Sequence, residues 1–124
     1  MPKLFGKDMT KTEICERVGD ISQIAGALPY TYDAGKAKGT SAVEVKTGSG
    51  LRFVILLDKG MNIAYAEYKG VPFSYISKTG VVSPDHYDEP DFLRSFEGGL
   101  LTTCGITYMG APCVDEGVKL GAHG

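Results

Sequence analysis

The two histidines are the first residues to ask for chemistry, because each stands in company that could use an imidazole. His86 lies in SPDHYDEPD beside Asp85, Asp88 and Asp91, where carboxylates could assist the ring or gather round a cation. The stretch lacks the glycine and the closing glutamate of an EF-hand loop, and a solvated acidic loop ahead of a helix start is electrostatically sensible in its own right. Both readings stand. His123, between Ala122 and Gly124, is on its own chemistry a lone histidine near a terminus. Asp58 follows five consecutive apolar residues, so its carboxylate emerges at the end of a strand either as a catalytic acid or as a turn-forming side chain bonded to its own loop. GGLLTTCG is glycine-rich but has no lysine and no helix start to make a phosphate loop, and its two threonines read as cross-strand partners. Nucleotide binding is excluded on that ground, and the absence of G-x-S-x-G and H-E-x-x-H leaves nucleophilic triads and zinc hydrolases without support.

The elements that must position these groups are mostly strands. Seventeen glycines without a period punctuate short apolar runs, which is how a turn-rich β protein reads. SAVEVKT alternates, LRFVILL is an apolar run, and the Gly-Ser-Gly between them closes a hairpin. DKG then turns the chain into MNIAYAEYKG, which sets Met61, Ile63, Tyr65 and Glu67 against Asn62, Ala64, Ala66 and Tyr68, and Gly70 turns it again into VPFSYIS. Short connections make residues 41–77 an antiparallel meander, with Pro72 at an edge because it removes a ladder donor. Thr10 and Glu13 form a capping box that starts a helix over 10–18, its apolar face made by Ile14 and Val18 with Cys15, and Gly19 closes it. Residues 21–25 read as one ragged strand followed by a loop. A second short helix is expected over 88–97, a strand over 99–109, and an irregular tail beyond.

Composition narrows the class. With 124 residues, 43% of them hydrophobic, the chain has the makings of one domain with its own core. A formal charge of -2 with scattered lysines and arginines gives no footprint for nucleic acid or an anionic membrane. The N-terminus has no apolar leader, and no run approaches the roughly 18 apolar residues of a spanning helix, so a cytoplasmic protein is expected. Three cysteines without C-x-x-C spacing suggest free thiols, with Cys104 and Cys113 packed as small core hydrophobes. No metal and no cofactor is expected. Tyr65, Tyr68, Tyr75 and Tyr108 could be stacking platforms for a ring-shaped ligand, although tyrosines in alternating strands are more often half-buried packing residues.

Two long stretches carry a resemblance. GSGLRFVILLDKGMNIAYAEYKGVPFSYISKTGVVSP, and FLRSFEGGLLTTCGITYMGAPCVDEGVKLGAHG after it, resemble the N-terminal portion of aldose 1-epimerase-like proteins of the galactose mutarotase superfamily. The resemblance implies a mostly β fold in which the meander is part of a mutarotase-like sandwich. It implies a sugar or sugar derivative as ligand and an isomerase chemistry in which a histidine acid protonates the ring oxygen while a glutamate base takes the anomeric proton. His123 matches the first histidine of that constellation, which contacts the sugar. The principal acid and the base have no match within this chain, which is therefore expected to be an N-terminal segment without epimerase activity alone. The family's Asp-Arg-Gly turn reads Asp58-Lys59-Gly60 here, and its following acidic residue reads Asn62. Lysine in place of arginine loses a planar bidentate donor, so a sugar contact from Asp58 and Lys59 would be weaker. The family's Asn-Arg element ahead of the histidine is replaced by LLTTCG. A sandwich interrupted after its first strands leaves edges open, so a homo-oligomer or a complementary C-terminal segment is the expected partner.

Overall fold

The computed structural model describes residues 3–4, 6–86, 92–103 and 108–121, and it is mostly β and antiparallel. Two short strands, β1 (Lys3–Leu4) and β2 (Lys7–Asp8), pair with each other ahead of helix α1 (Lys11–Cys15). The central sheet then runs through β3 (Ala25–Thr31), β4 (Ser41–Thr47), β5 (Leu51–Leu56), β6 (Asn62–Tyr68) and β7 (Val71–Pro72), in that spatial order. A smaller pair, β8 (Tyr75–Ile76) with β9 (Gly98–Gly99), follows, and β10 (Cys113–Asp115) and β11 (Val118–Leu120) form a terminal hairpin.

The capping box forms as the sequence predicts. The Glu13 amide donates to the Thr10 hydroxyl at 3.3 Å and the Thr10 amide to the Glu13 carboxylate at 2.7 Å. The helix is shorter than the expected 10–18, and Gly19 is not in the left-handed region. A second box explains this: Asp20 accepts from the Ser22 amide at 2.7 Å and Gln23 reaches back to the Gly19 amide at 3.0 Å, starting a separate 3-10 turn, Ile21–Gln23. Ile14 is buried, whereas Cys15 is exposed rather than part of the apolar face.

The expected strand at 21–25 is also corrected. Residues 21–23 form that turn, and the strand is β3, seven residues long where a loop was expected. Gly26 and Pro29 disfavour a strand, but β3 lies at the sheet edge, where alternate amides have no ladder partner and a proline is tolerated. Pro72 in β7 occupies the opposite edge, as expected. VPFSYIS is not one strand: its first half pairs with β6 and its second, as β8, with β9.

The core lies on one face of the sheet. Ala42, Val54, Leu56 and Ala64 pack there with Ala37 and Val81, and Tyr30, Tyr32 and Ile76 close around them. Leu56 is fully buried, a burial that contributes about 2 kcal/mol. The Ser83 amide donates to the Lys36 carbonyl at 2.8 Å, which ties the loop carrying Val81 to the turn carrying Ala37.

Between β5 and β6 the register shifts: Ile55 pairs with Ile63 but Phe53 pairs with Ala66, so Ala64 and Tyr65 together oppose Val54. This bulge breaks the alternation read from the sequence. Glu67, which strict alternation places with Ile63, instead pairs with Arg52 and joins the face of Val54 and Leu56.

The later expectations are met only in part. Of the helix expected over 88–97, residues 87–91 lie outside the described residues, and 92–94 form a 3-10 turn instead of an α-helix. Of the strand expected over 99–109, Gly98–Gly99 pairs with β8 and Leu101 bridges Ile63, while 104–107 lie outside the described residues. The tail is a hairpin rather than irregular: Glu116 (φ 46°) and Gly117 (φ 81°) supply the two left-handed residues of a primed turn. Cys113 is exposed on its strand, not packed in the core, and Cys104 lies outside the described residues. Among the described residues, no helix is long and apolar enough to cross a membrane.

Candidate functional site

The core face of the sheet changes character along its strands. Ala42 pairs with Leu56, Glu44 with Val54, and Lys46 with Arg52, so two residues along each strand the same face passes from apolar to charged. At that boundary lies a groove of about 360 Å³, within the range of small-molecule sites. Tyr30 from β3, Glu44 from β4, Arg52 from β5, and Tyr65 and Glu67 from β6 line it, with Ser74 closing one side. The bulge brings Tyr65 and Glu67 onto this face together.

Arg52 organises the polar half. Its guanidinium donates to Glu44, whose side chain is 14% exposed, and its other nitrogen stands 3.7 Å from the Glu67 carboxylate, 38% exposed. The hydrogen bond to Glu44, ahead of the charges of Glu44 and Glu67, raises the Arg52 pKa above its ordinary value, while burial acts against this. A fixed cation between two carboxylates results. The Ser74 hydroxyl accepts the Ala66 amide at 2.9 Å and so anchors the loop between β7 and β8 beside the groove.

The aromatic half is built by Tyr65, 41% exposed, and by Tyr30 and Tyr32, whose rings lie 5.4 Å apart and tilted at 58°. The Tyr30 and Tyr32 hydroxyls share a hydrogen bond at 3.4 Å. Burial first, then that hydrogen bond, pushes the Tyr32 phenol well above its ordinary range. The folded state holds the Tyr32 proton more tightly than the unfolded chain. The associated stability is therefore complete below pH about 10 and declines as the pH rises through the folded value. An ultraviolet pH titration should show at least one of the seven tyrosines ionising only with alkaline unfolding. Ionisation of all seven in one unperturbed step would contradict the packing of this pair.

The residues singled out by sequence are distributed differently. Asp58 is exposed and accepts the amide of Ser41, at the start of β4, at 2.6 Å, a bond to a neighbouring strand rather than to its own turn. Lys59 points inward: its ammonium donates to Glu97 and to the Ser95 carbonyl, the latter at 2.6 Å. Glu97 is 1% exposed, and its second oxygen accepts from Asn62 Nδ2 at 2.8 Å. Asn62 Oδ1 in turn accepts the Thr103 amide at 2.7 Å and its hydroxyl at 3.0 Å. This network fixes the β5–β6 turn to the segments on both sides of β9. Neither Asp58 nor Lys59 lines the groove.

His123 lies outside the described residues, as do Asp88 and Asp91. His86 is exposed at the end of a 3-10 turn, and among the described residues no three metal-ligating side chains come together. Of the four tyrosines read as possible platforms, Tyr65 alone lines the groove, joined by Tyr30 and Tyr32. Arg52, Glu44 and Glu67 were not anticipated. Their signal was the alternation of charges with apolar residues in EVK and LRF, which becomes informative only once register places the strands side by side.

Compared with known families, residues 37–124 match the model of a domain of unknown function, DUF4432. No curated protein matches the chain, and no solved structure matches it.

Proposed function

The chain belongs to the DUF4432 family, and from that premise we propose that it is a carbohydrate-binding protein of the aldose 1-epimerase-like kind, taking its sugar in the groove on the core face of the sheet. One observation carries the reading: tyrosine rings and an Arg52–carboxylate row line one groove of about 360 Å³. A sugar ring offers apolar C–H faces to aromatic rings and hydroxyls that both donate and accept. The groove supplies partners for each. The resemblance of the two long stretches, which include β5 and β6, to aldose 1-epimerase-like proteins points the same way, with His123 as a further sugar contact.

The acid and base of that chemistry have no match in the chain, so binding without anomer interconversion is the expected behaviour of these 124 residues. Tyr65→Ala should weaken binding of D-galactose or D-glucose by about tenfold or less, the scale of one aromatic contact at about 0.5–1.5 kcal/mol. Calorimetry and polarimetry together check both statements. Unchanged affinity in the Tyr65 variant would remove the groove from the account, and epimerisation above the spontaneous rate would overturn the claim of inactivity.

A second reading is favoured by one feature, the outer edge of β3. This strand is seven residues long, has a neighbour on one side only among the described residues, and leaves Leu28 58% exposed. Such an edge can pair with a second copy or a complementary segment. Light scattering after size-exclusion chromatography should then show a dimer that Leu28→Lys shifts toward monomer. A monomer at high concentration would count against this reading.

A further inference from the structure

Glu67 is the group in the groove whose capacity is left open. Glu44 holds Arg52 by a direct hydrogen bond, whereas Glu67 stands 3.7 Å from the guanidinium, beyond hydrogen-bond reach. Among the described residues no hydrogen bond reaches the Glu67 carboxylate. Two carboxylates against one guanidinium leave the groove with one unit of negative charge, and Lys46, the register partner of Arg52, is not part of its lining. The tyrosine rings add the negative faces of their π systems. The net charge of the lining is negative, and its one cation already stands between the two carboxylates.

Resting on the carbohydrate reading, we propose that the groove selects a sugar bearing a protonated amine over its neutral counterpart, and disfavours phosphorylated or acidic sugars. Glu67 is the specificity-determining residue. The ammonium would donate to the Glu67 carboxylate beside the Tyr65 ring while the hydroxyls of the same ring meet Glu44 and Arg52. An anionic group would find Arg52 occupied and two carboxylates in its path.

The test compares D-glucosamine, D-glucose, D-glucose 6-phosphate and ethanolamine by calorimetry on the intact chain, at low and high salt. Glucosamine should bind about threefold to fivefold tighter than glucose, the scale of a half-exposed ion pair, and the advantage should shrink with salt. Glucose 6-phosphate should bind more weakly than glucose. In Glu67→Gln the ratio of glucosamine to glucose affinity should fall to about one. Because Glu67 is partly exposed at a strand position, the isosteric change should leave the fold intact, and circular dichroism verifies it. If glucose binds as well as glucosamine, or if the phosphate binds best, the charge selection is overturned and the carbohydrate reading survives. If ethanolamine matches glucosamine while glucose fails to bind, or if nothing binds, the carbohydrate reading falls and takes this inference with it.

Discussion

Glu97→Ala is expected to destabilise the protein by about 3–5 kcal/mol, the cost of removing one partner from a buried ion pair. Glu97 is 1% exposed and the Lys59 side chain 13%, so neither charge can recover its loss from water. Removing the carboxylate leaves the ammonium with the Ser95 carbonyl alone and strips Asn62 Nδ2 of its acceptor. The damage should spread, because Asn62 is also the group that holds Thr103. Glu97→Gln should cost less, since an amide oxygen can still accept from Asn62 or Lys59. Replacing both partners, Lys59→Met with Glu97→Leu, should recover much of the loss, as a pair of apolar side chains carries no desolvation penalty. Urea denaturation of the four proteins checks the series, and a loss below about 1 kcal/mol for Glu97→Ala would show that the network holds nothing together.

Gly99→Ala should be nearly as damaging, at about 2–5 kcal/mol, and for a steric reason. A Cβ at this position would lie 2.6 Å from the Ile63 carbonyl oxygen and 3.1–3.2 Å from the backbone of Ala64, at a φ of +106°. The obstructing atoms belong to the ladder, so no side-chain rotation relieves the contact. The chain must move off β6, and with it go the bonds from the Leu100 and Leu101 amides to the Ile63 carbonyl, at 2.9 and 3.2 Å. Hydrogen exchange gives the local readout: amides of 63 and 100–101 should lose protection before those of β4 and β5. Gly70→Ala, where φ is +80° but nothing lies within 4 Å, should cost only the backbone strain. Equal stability for the Gly99 and Gly70 variants would contradict the close approach.

These two residues mark the limit of what the sequence reveals. The hairpin around Gly48–Gly50, the turn at Asp58–Gly60, the edge position of Pro72 and the Thr10–Glu13 cap are all local: composition within a few residues determines each. Gly26 and Pro29 lower the intrinsic strand preference of β3, and only its pairing with β4 makes it a strand. The terminal hairpin turns on Glu-Gly, a weaker signal than Asn-Gly or Asp-Gly, so its sequence reads as an irregular tail. The bulge in β6 was invisible, and it changes the face that Glu67 shares. Lys59 was singled out as a position in a turn, yet its partner Glu97 lies 38 residues away, a separation with no period to reveal it. The same holds for the groove, whose members come from five strands and meet only through register.

The central claim is that a sugar occupies the groove formed by Tyr30, Glu44, Arg52, Tyr65 and Glu67. The most direct measurement is a titration of the isotopically labelled chain with D-galactose and D-glucosamine, following backbone amide shifts residue by residue. The account predicts saturable shifts concentrated at 30–32, 44, 52–54 and 65–67, which Tyr65→Ala diminishes. Shifts that fail to saturate, or that cluster away from this face of the sheet, would contradict it.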